Sequence, residues 1–188
     1  MSRWEPNARD RLALAALELF EERGFERTTV EDIATRAGLT KRTFFRHFSD
    51  KREVLFAGGE DFKAVFVDAL AAVAPTVAPI DAVAVSLEAG GAALQDRLEF
   101  ARRRQQVISA NAELQERELV KLASIATALA EGLRQRGVEE PAASLTAEAG
   151  IAVFRIAFER WVTAPDDREF GELILESLQA LRAVTASA

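Results

Sequence analysis

The sequence predicts an all-α fold, and three observations carry that prediction. Val and Ile are scattered through stretches rich in Ala, Leu, Glu and Arg, and do not alternate with polar residues as a half-buried strand requires. Apolar residues recur at spacings of three and four over much of the chain. Gly and Pro fall mostly between these periodic segments, as punctuation. At 188 residues and 49% apolar content, the chain can bury a substantial core.

The first helix is read from Ala8, Leu12, Ala15, Ala16, Leu19 and Phe20, which share one face, with Gly24 as its stop. Thr28-Thr29-Val30-Glu31-Asp32 opens a second, short helix. Either Thr28 with Glu31 or Thr29 with Asp32 has capping-box spacing. Val30, Ile33, Ala34 and Ala37 form its stripe, and Gly38 ends it. Thr40 caps a third helix, Lys41 to about His47. Ser49-Asp50-Lys51 is expected to open a fourth, long helix reaching Val73, ahead of Pro75. Further helices are expected at 80–95, 97–109, 112–136, 144–163 and 167–184, with Gly90-Gly91 a candidate break and Asp166 and Asp167 suited to a helix N-terminus.

Composition excludes several classes of chemistry. Without cysteine there is no disulfide, thiolate metal site or cysteine nucleophile, and a single histidine, His47, removes multi-His metal sites. No apolar run is longer than that from Ala69 to Ala74, far short of the roughly 20 residues that span a bilayer, and Met1-Ser2-Arg3-Trp4-Glu5-Pro6 starts no signal peptide. The expectation is a soluble, cytoplasmic protein that is not an enzyme and holds no metal or cofactor. Charge is uneven: residues 1–55 carry 11 basic and 10 acidic groups, whereas 56–188 carry 13 and 20. A net charge of −6 repels nucleic acid at long range, so binding would require basic groups focused on one small face.

Residues 28–48 offer such a face. Two short helices joined by Ala37-Gly38-Leu39-Thr40 have helix-turn-helix spacing, with Gly38 permitting a left-handed turn. Val30, Ile33, Ala34, Leu39, Phe44 and Phe48 can form a small core, leaving Lys41, Arg42, Thr43, Arg46 and His47 on the other side. In a major groove, Lys41 and Arg42 can donate to guanine and the Thr43 methyl can touch thymine. The alternative is a solvated basic face in an ordinary bundle.

Residues 9–55 closely resemble the DNA-binding domain of the TetR family of bacterial transcriptional regulators. The resemblance is carried by Ala15-Ala16-Leu17-Glu18-Leu19-Phe20, Gly24-Phe25, Thr28 to Ala34, Ala37-Gly38, Thr43-Phe44-Phe45-Arg46-His47-Phe48 and Lys51 to Leu55. It implies a domain at 1–55 that binds DNA and an all-helical domain at 56–188 for effector binding and dimerisation. It further implies phosphate contacts from Thr29, His47 and Lys51, and a groove-facing set of Thr40, Lys41, Arg42 and Thr43. As a general base, His47 would need a nucleophile and an orienting partner, so a backbone contact is the expectation. Phe45 stands where many members have a backbone-contacting Tyr, which leaves an apolar contact or a core role. Arg46 is open between a phosphate and an ion pair within the protein, and Arg36 is expected to be solvated.

The rest of the chain is read from its residues. The 144–163 segment is apolar nearly all round (Ile151, Val153, Phe154, Ile156, Phe158, Trp161, Val162), and the next carries Phe170, Leu173, Ile174, Leu178 and Leu181. Paired between two chains, these two helices would make a homodimer; the alternative is that one monomer uses both stripes. Aromatic residues from several helices (Phe56, Phe62, Phe66, Phe100, Phe154, Phe158, Trp161) suggest either a pocket for an apolar molecule or plain core. Leu98 to Gly137 is similar to a subgroup of the family associated with acyl-CoA-like ligands. This implies that one arginine of Arg102-Arg103-Arg104, with Arg103 as the candidate, meets a phosphate or carboxylate, the alternative being a solvated face. The expected function is a homodimeric repressor of a palindromic operator in double-stranded DNA, released by an apolar effector. An effector-independent regulator or activator and a helical small-molecule carrier are the alternatives.

Overall fold

The computed structural model describes residues 7–165 and 168–186. The readings made on Met1–Pro6 and on Asp166 and Asp167 lie outside them. The described residues contain no strand. They form α1 (Ala8–Arg23), α2 (Val30–Arg36), α3 (Lys41–His47), a 3₁₀ turn (Glu53–Phe56), α4 (Gly59–Ala72), α5 (Pro79–Gln95), α6 (Leu98–Ser109), α7 (Ala112–Gln135), α8 (Ala142–Thr163) and α9 (Phe170–Ala186). The all-α reading holds. By packing, the chain divides into two compact units, residues 1–58 with 103–118, and residues 59–102 with 119–188.

In the first unit α1 packs on α2, α3 and the 3₁₀ turn. Asn7 caps α1 by accepting the Asp10 N–H at 3.0 Å, and the Gly24 N–H closes its end on the Phe20 carbonyl. Leu12, Ala15, Ala16, Leu19 and Phe20 are buried, as their spacing predicts. The sequence predicts one domain at 1–55 and one at 56–188; by packing, residues 103–118 group with the first unit. Side-chain pairs join this stretch to the rest of that unit. Arg103 forms a bidentate pair with Glu21 (2.9 and 2.6 Å), Arg117 one with Glu53 (2.5 and 2.9 Å), and Arg104 joins the Leu55 carbonyl (2.8 Å) to Glu118 (2.6 Å). Arg104 and Arg117 also lie over the Phe56 ring, at 4.9 and 5.1 Å. Phe56 is buried in this unit, whereas the other aromatic candidates belong to the second.

The long fourth helix expected from Ser49–Lys51 to Val73 does not form as one piece. The Asp50 carboxylate accepts the N–H groups of Arg52 (2.8 Å) and Glu53 (3.2 Å), which fixes a turn. A 3₁₀ turn then buries three successive residues, Val54, Leu55 and Phe56. Ala57 is extended and Gly58 has φ +78, so α4 starts afresh at Gly59.

In the second unit α5 packs against α4, α8 and α9, and α8 against α9. Gly90-Gly91 does not break α5; it lets neighbours come close. A Cβ on Gly90 would lie 2.2 Å from the Phe66 ring, and one on Gly91 would lie 2.8 Å from Ile174 Cδ1. Gly150 plays the same part in α8, where a Cβ would lie 2.5 Å from Val83. Long side chains close the helix ends: Arg136 donates to the Val73 and Ala74 carbonyls, and Arg102 donates to those of Val162 and Ala164. Among the described residues, no helix is long and apolar enough to cross a membrane.

Candidate nucleic-acid interface

Three short elements of the first unit set up the interface. Of the two capping boxes open to α2, the chain uses Thr29 with Asp32. The Thr29 hydroxyl accepts the Asp32 N–H at 3.1 Å, and the Asp32 carboxylate accepts the Thr29 N–H at 2.9 Å. Bonds from the Thr29 hydroxyl and N–H, aided by Arg23, hold the Asp32 carboxyl below its ordinary range. Thr28 is instead buried, its hydroxyl donating to the Gly24 and Leu19 carbonyls.

The turn after α2 depends on Gly38, whose φ of +65 lies in the left-handed region. Its N–H bonds the Thr35 carbonyl at 3.0 Å, and the Leu39 N–H bonds that of Ala34 at 2.8 Å. The Arg11 guanidinium donates to the Ala37 carbonyl, tying α1 to this turn. Thr40 then caps α3 by accepting the Thr43 N–H at 3.1 Å, and the Thr40 and Thr43 hydroxyls lie 3.0 Å apart. Ile33, Ala34, Phe44 and Phe48 are buried beneath and Leu39 is half-buried, so the small core is as the sequence predicts.

That core leaves the other side of α3 exposed. Lys41, Arg42, Phe45 and Arg46 are exposed and Thr43 is half-exposed. Thr40, Arg42, Thr43, Phe45 and Arg46 line one open concavity. Among the described residues no carboxylate lies within ion-pair distance of Lys41, Arg42 or Arg46. For Arg46 the geometry thus shows no ion pair among the described residues. Arg36 is exposed, as the solvated reading expects, and is also paired with Glu22 at 2.7 Å and Glu18 at 3.3 Å; its hydrogen bonds hold the Glu22 carboxyl low.

Lys51 and His47 are placed less freely. The Lys51 ammonium donates to the Phe25 carbonyl (2.9 Å) and the Thr28 carbonyl (3.3 Å), and lies 4.2 Å from the Phe25 ring centre. It therefore fixes the loop that presents Thr29. The His47 Nε2 is buried and has no hydrogen-bond partner among the described residues. Sequence reasoning missed Arg11 and Asp50 as positioning groups, because their partners are backbone atoms that no side-chain pattern reveals.

The aromatic candidates Phe62, Phe66, Phe154, Phe158 and Trp161 come together in the second unit, joined by Phe170. Phe66 meets Phe154 at 5.2 Å, and Trp161 stacks on Phe170 at 4.8 Å and 9°. The Trp161 Nε1 is buried without an acceptor. Phe100 is half-buried and makes none of these ring contacts. Arg103 belongs to the first unit, paired with Glu21.

The apolar stripes are divided between inside and outside. Phe154, Trp161, Phe170, Leu173, Ile174 and Leu178 are buried within the chain, so much of the expected dimer face is consumed internally. Leu145 (65% exposed) and Ile156 (46%) remain outside, with Ala152 exposed and Ala149 half-buried on the same side of α8. Leu175 and Val184 of α9 are also exposed.

Comparison with known proteins agrees with this arrangement. Residues 13–57 match the family described as "Bacterial regulatory proteins, tetR family", and residues 77–186, more than half of the chain, match "MftR C-terminal domain". The chain is 56% identical over 46 residues to the HTH-type transcriptional regulator TcmR of Streptomyces glaucescens, covering 24% of this chain and 20% of that protein. It is 41% identical over 49 residues to the HTH-type transcriptional activator FasR of Mycolicibacterium smegmatis, covering 26% and 22%. The match thus spans about a fifth of each curated relative. Among solved structures, the regulator FadR of Bacillus subtilis in complex with stearoyl-CoA superposes with a TM-score of 0.63 at 19% identity, covering 92% of this chain and 96% of that one. FadR of Thermus thermophilus in complex with lauroyl-CoA gives a TM-score of 0.58 at 22% identity, covering 93% of each. At these identities the likeness is one of fold.

Proposed function

From the premise that this chain belongs to the TetR family of bacterial regulatory proteins, and is a DNA-binding transcriptional regulator, we propose that it is a homodimeric repressor whose operator is released by an apolar small molecule. The observation that carries this reading is the outer face of α3. Three cations, Lys41, Arg42 and Arg46, are gathered on this one exposed face, unpaired among the described residues, beside Thr40 and Thr43. Such a face fits a polyanion, and the length of α3 suits a major groove.

In the proposed complex Thr40, Lys41, Arg42 and Thr43 face base edges. Thr29 and Arg46 meet phosphates, His47 lies beside the backbone, and Lys51 holds the loop carrying Thr29. One such helix reads only a few base pairs, so a second copy is required for useful affinity. The exposed apolar side of α8, Leu145, Ala152 and Ile156, supports pairing through α8 and α9.

For the effector, the proposed contacts are Phe62, Phe66, Phe154, Phe158 and Trp161, with Phe100 at the periphery. The buried Trp161 Nε1–H would find its missing acceptor in a carbonyl or carboxylate oxygen. Arg103 is not required, because Glu21 already neutralises it. The acyl-CoA complexes of the two FadR neighbours favour an acyl chain as the apolar moiety. The effector would act by binding better to a conformation whose paired α3 helices no longer fit successive grooves.

The test is selection of duplexes from a random library with the full chain, followed by fluorescence anisotropy with and without lauroyl-CoA. An inverted repeat should be enriched, and the ligand should raise its Kd. No enrichment refutes the DNA reading, and an unchanged Kd refutes lauroyl-CoA as effector. A second reading, an effector-independent regulator or activator, is favoured by the direct ring-to-ring packing of Phe66, Phe154, Phe170 and Trp161, which is how a ligand-free core packs.

A further inference from the structure

Phe45 is 51% exposed, on the same face as the unpaired cations. Its inner edge rests on the buried Phe44 ring (5.5 Å, 82°), which holds it outward. Exposed Arg42 lies three residues before it and is an i,i+4 neighbour of exposed Arg46, and with Thr40, Thr43 and Phe45 the two arginines line one concavity. An apolar protein surface docking here would bury two guanidinium groups without partners, which is costly, whereas a nucleic-acid duplex supplies the anions. The occupant that matches the charge is DNA.

A phenyl ring has neither donor nor acceptor, so in a major groove it cannot use phosphate oxygens or the polar edges of bases. The one apolar projection that the four base pairs place there is the thymine C5-methyl group. We propose that Phe45 reads the methyl group of a thymine, so that operator choice rests partly on a methyl group and not on hydrogen bonds alone. This rests on the DNA-binding reading above and adds a specificity residue to it.

The experiment uses the full chain and the tightest duplex selected from a random library. Each thymine is replaced in turn by deoxyuridine, which removes only the methyl group, and Kd is measured for the native protein, Phe45→Ala and Thr43→Ser. Loss of one buried methyl contact should weaken binding about fourfold, and about fifteenfold when the symmetry-related thymine of an inverted repeat is replaced too. Phe45→Ala should bind the thymine duplex more weakly and be indifferent to uridine at that position, while Thr43→Ser retains the discrimination. Circular dichroism confirms that this surface variant is folded. If the native protein ignores every uridine, or Phe45→Ala discriminates as well as the native protein, the proposal is overturned while DNA binding stands. If no duplex is enriched, both readings fall together.

Discussion

Replacing Gly90 by Ala tests how closely α4 and α5 approach. The new Cβ would lie 2.2, 2.7 and 2.8 Å from three atoms of the Phe66 ring. Carbon atoms in contact sit at about 3.5–4 Å, so the ring would have to retreat by roughly 1 Å or more. It has little room to do so, with Phe62 at 5.0 Å and Phe154 at 5.2 Å between ring centres. Overpacking of this kind costs about 1–3 kcal/mol and sometimes more, while Ala in a helix interior returns about 1 kcal/mol. With so little space for the ring, a net loss of about 2 kcal/mol is expected. That corresponds to a fall in Tm of about 4–8 °C for a chain of this size. Gly171→Ala, in the first turn of α9 with no atom within 4 Å of its Cβ, is the control and should be neutral or stabilising. The assay is urea and thermal unfolding of both variants, with Phe66→Leu added in each background. Phe66→Leu should cost less when residue 90 is Ala than when it is Gly, since it relieves the clash. Equal stability of Gly90→Ala and Gly171→Ala would refute the close approach.

Lys51→Met leaves the Phe25 and Thr28 carbonyls without their donor and is expected to lower stability by about 1 kcal/mol; an unchanged urea midpoint would refute that role. Arg46→Ala should weaken binding to all duplexes alike and reduce the slope of log K against log salt by about one, as read from salt titrations; base-dependent losses would contradict a phosphate contact. Thr43→Ala, by contrast, should cost about 1–3 kcal/mol only at particular base pairs. Ile156→Arg is expected to give a monomer in sedimentation and to lose operator affinity, whereas a dimer of native affinity would remove α8 from the interface. Hydrogen bonds from Arg168 and Arg160 pull the Glu176 carboxyl from 4.5 to about 2. Its folded pKa lies below the unfolded one, so its contribution is full above pH 4.5 and is lost as pH falls towards 2. The stability gap between native protein and Glu176→Gln in urea melts should close across that window, and a gap independent of pH would contradict the pairing.

Legibility followed the range of the interactions. The α3 face was readable because Thr40, Gly38 and the Phe44/Phe48 pair act within a few residues of one another, and the capping box needed only a choice between two adjacent threonines. The fourth helix was misread because its break arises from the Asp50 turn and from burial of Val54, Leu55 and Phe56 together, and the Gly58-Gly59 signal was passed over. Gly90-Gly91 was taken as a candidate break because spacing cannot show that Phe66 and Ile174 fill the space where Cβ atoms would stand. Arg103 was read towards a ligand because its partner, Glu21, is 82 residues away in the chain. For the stripe of α9 the sequence leaves two covers open, a second chain or the same one, and Leu173, Ile174 and Leu178 are used within the chain; periodicity identifies a face and not what covers it.

The grouping of 103–118 with the first unit bears on any graft of this reading head onto another body. A chimaera joined after Gly58 would transplant Glu21, Glu53 and the Leu55 carbonyl without the arginines that grip them. Recombination that preserves a working head therefore needs two more crossovers, to bring the short arginine-bearing stretch along. The portable reading head of this chain is discontinuous in sequence.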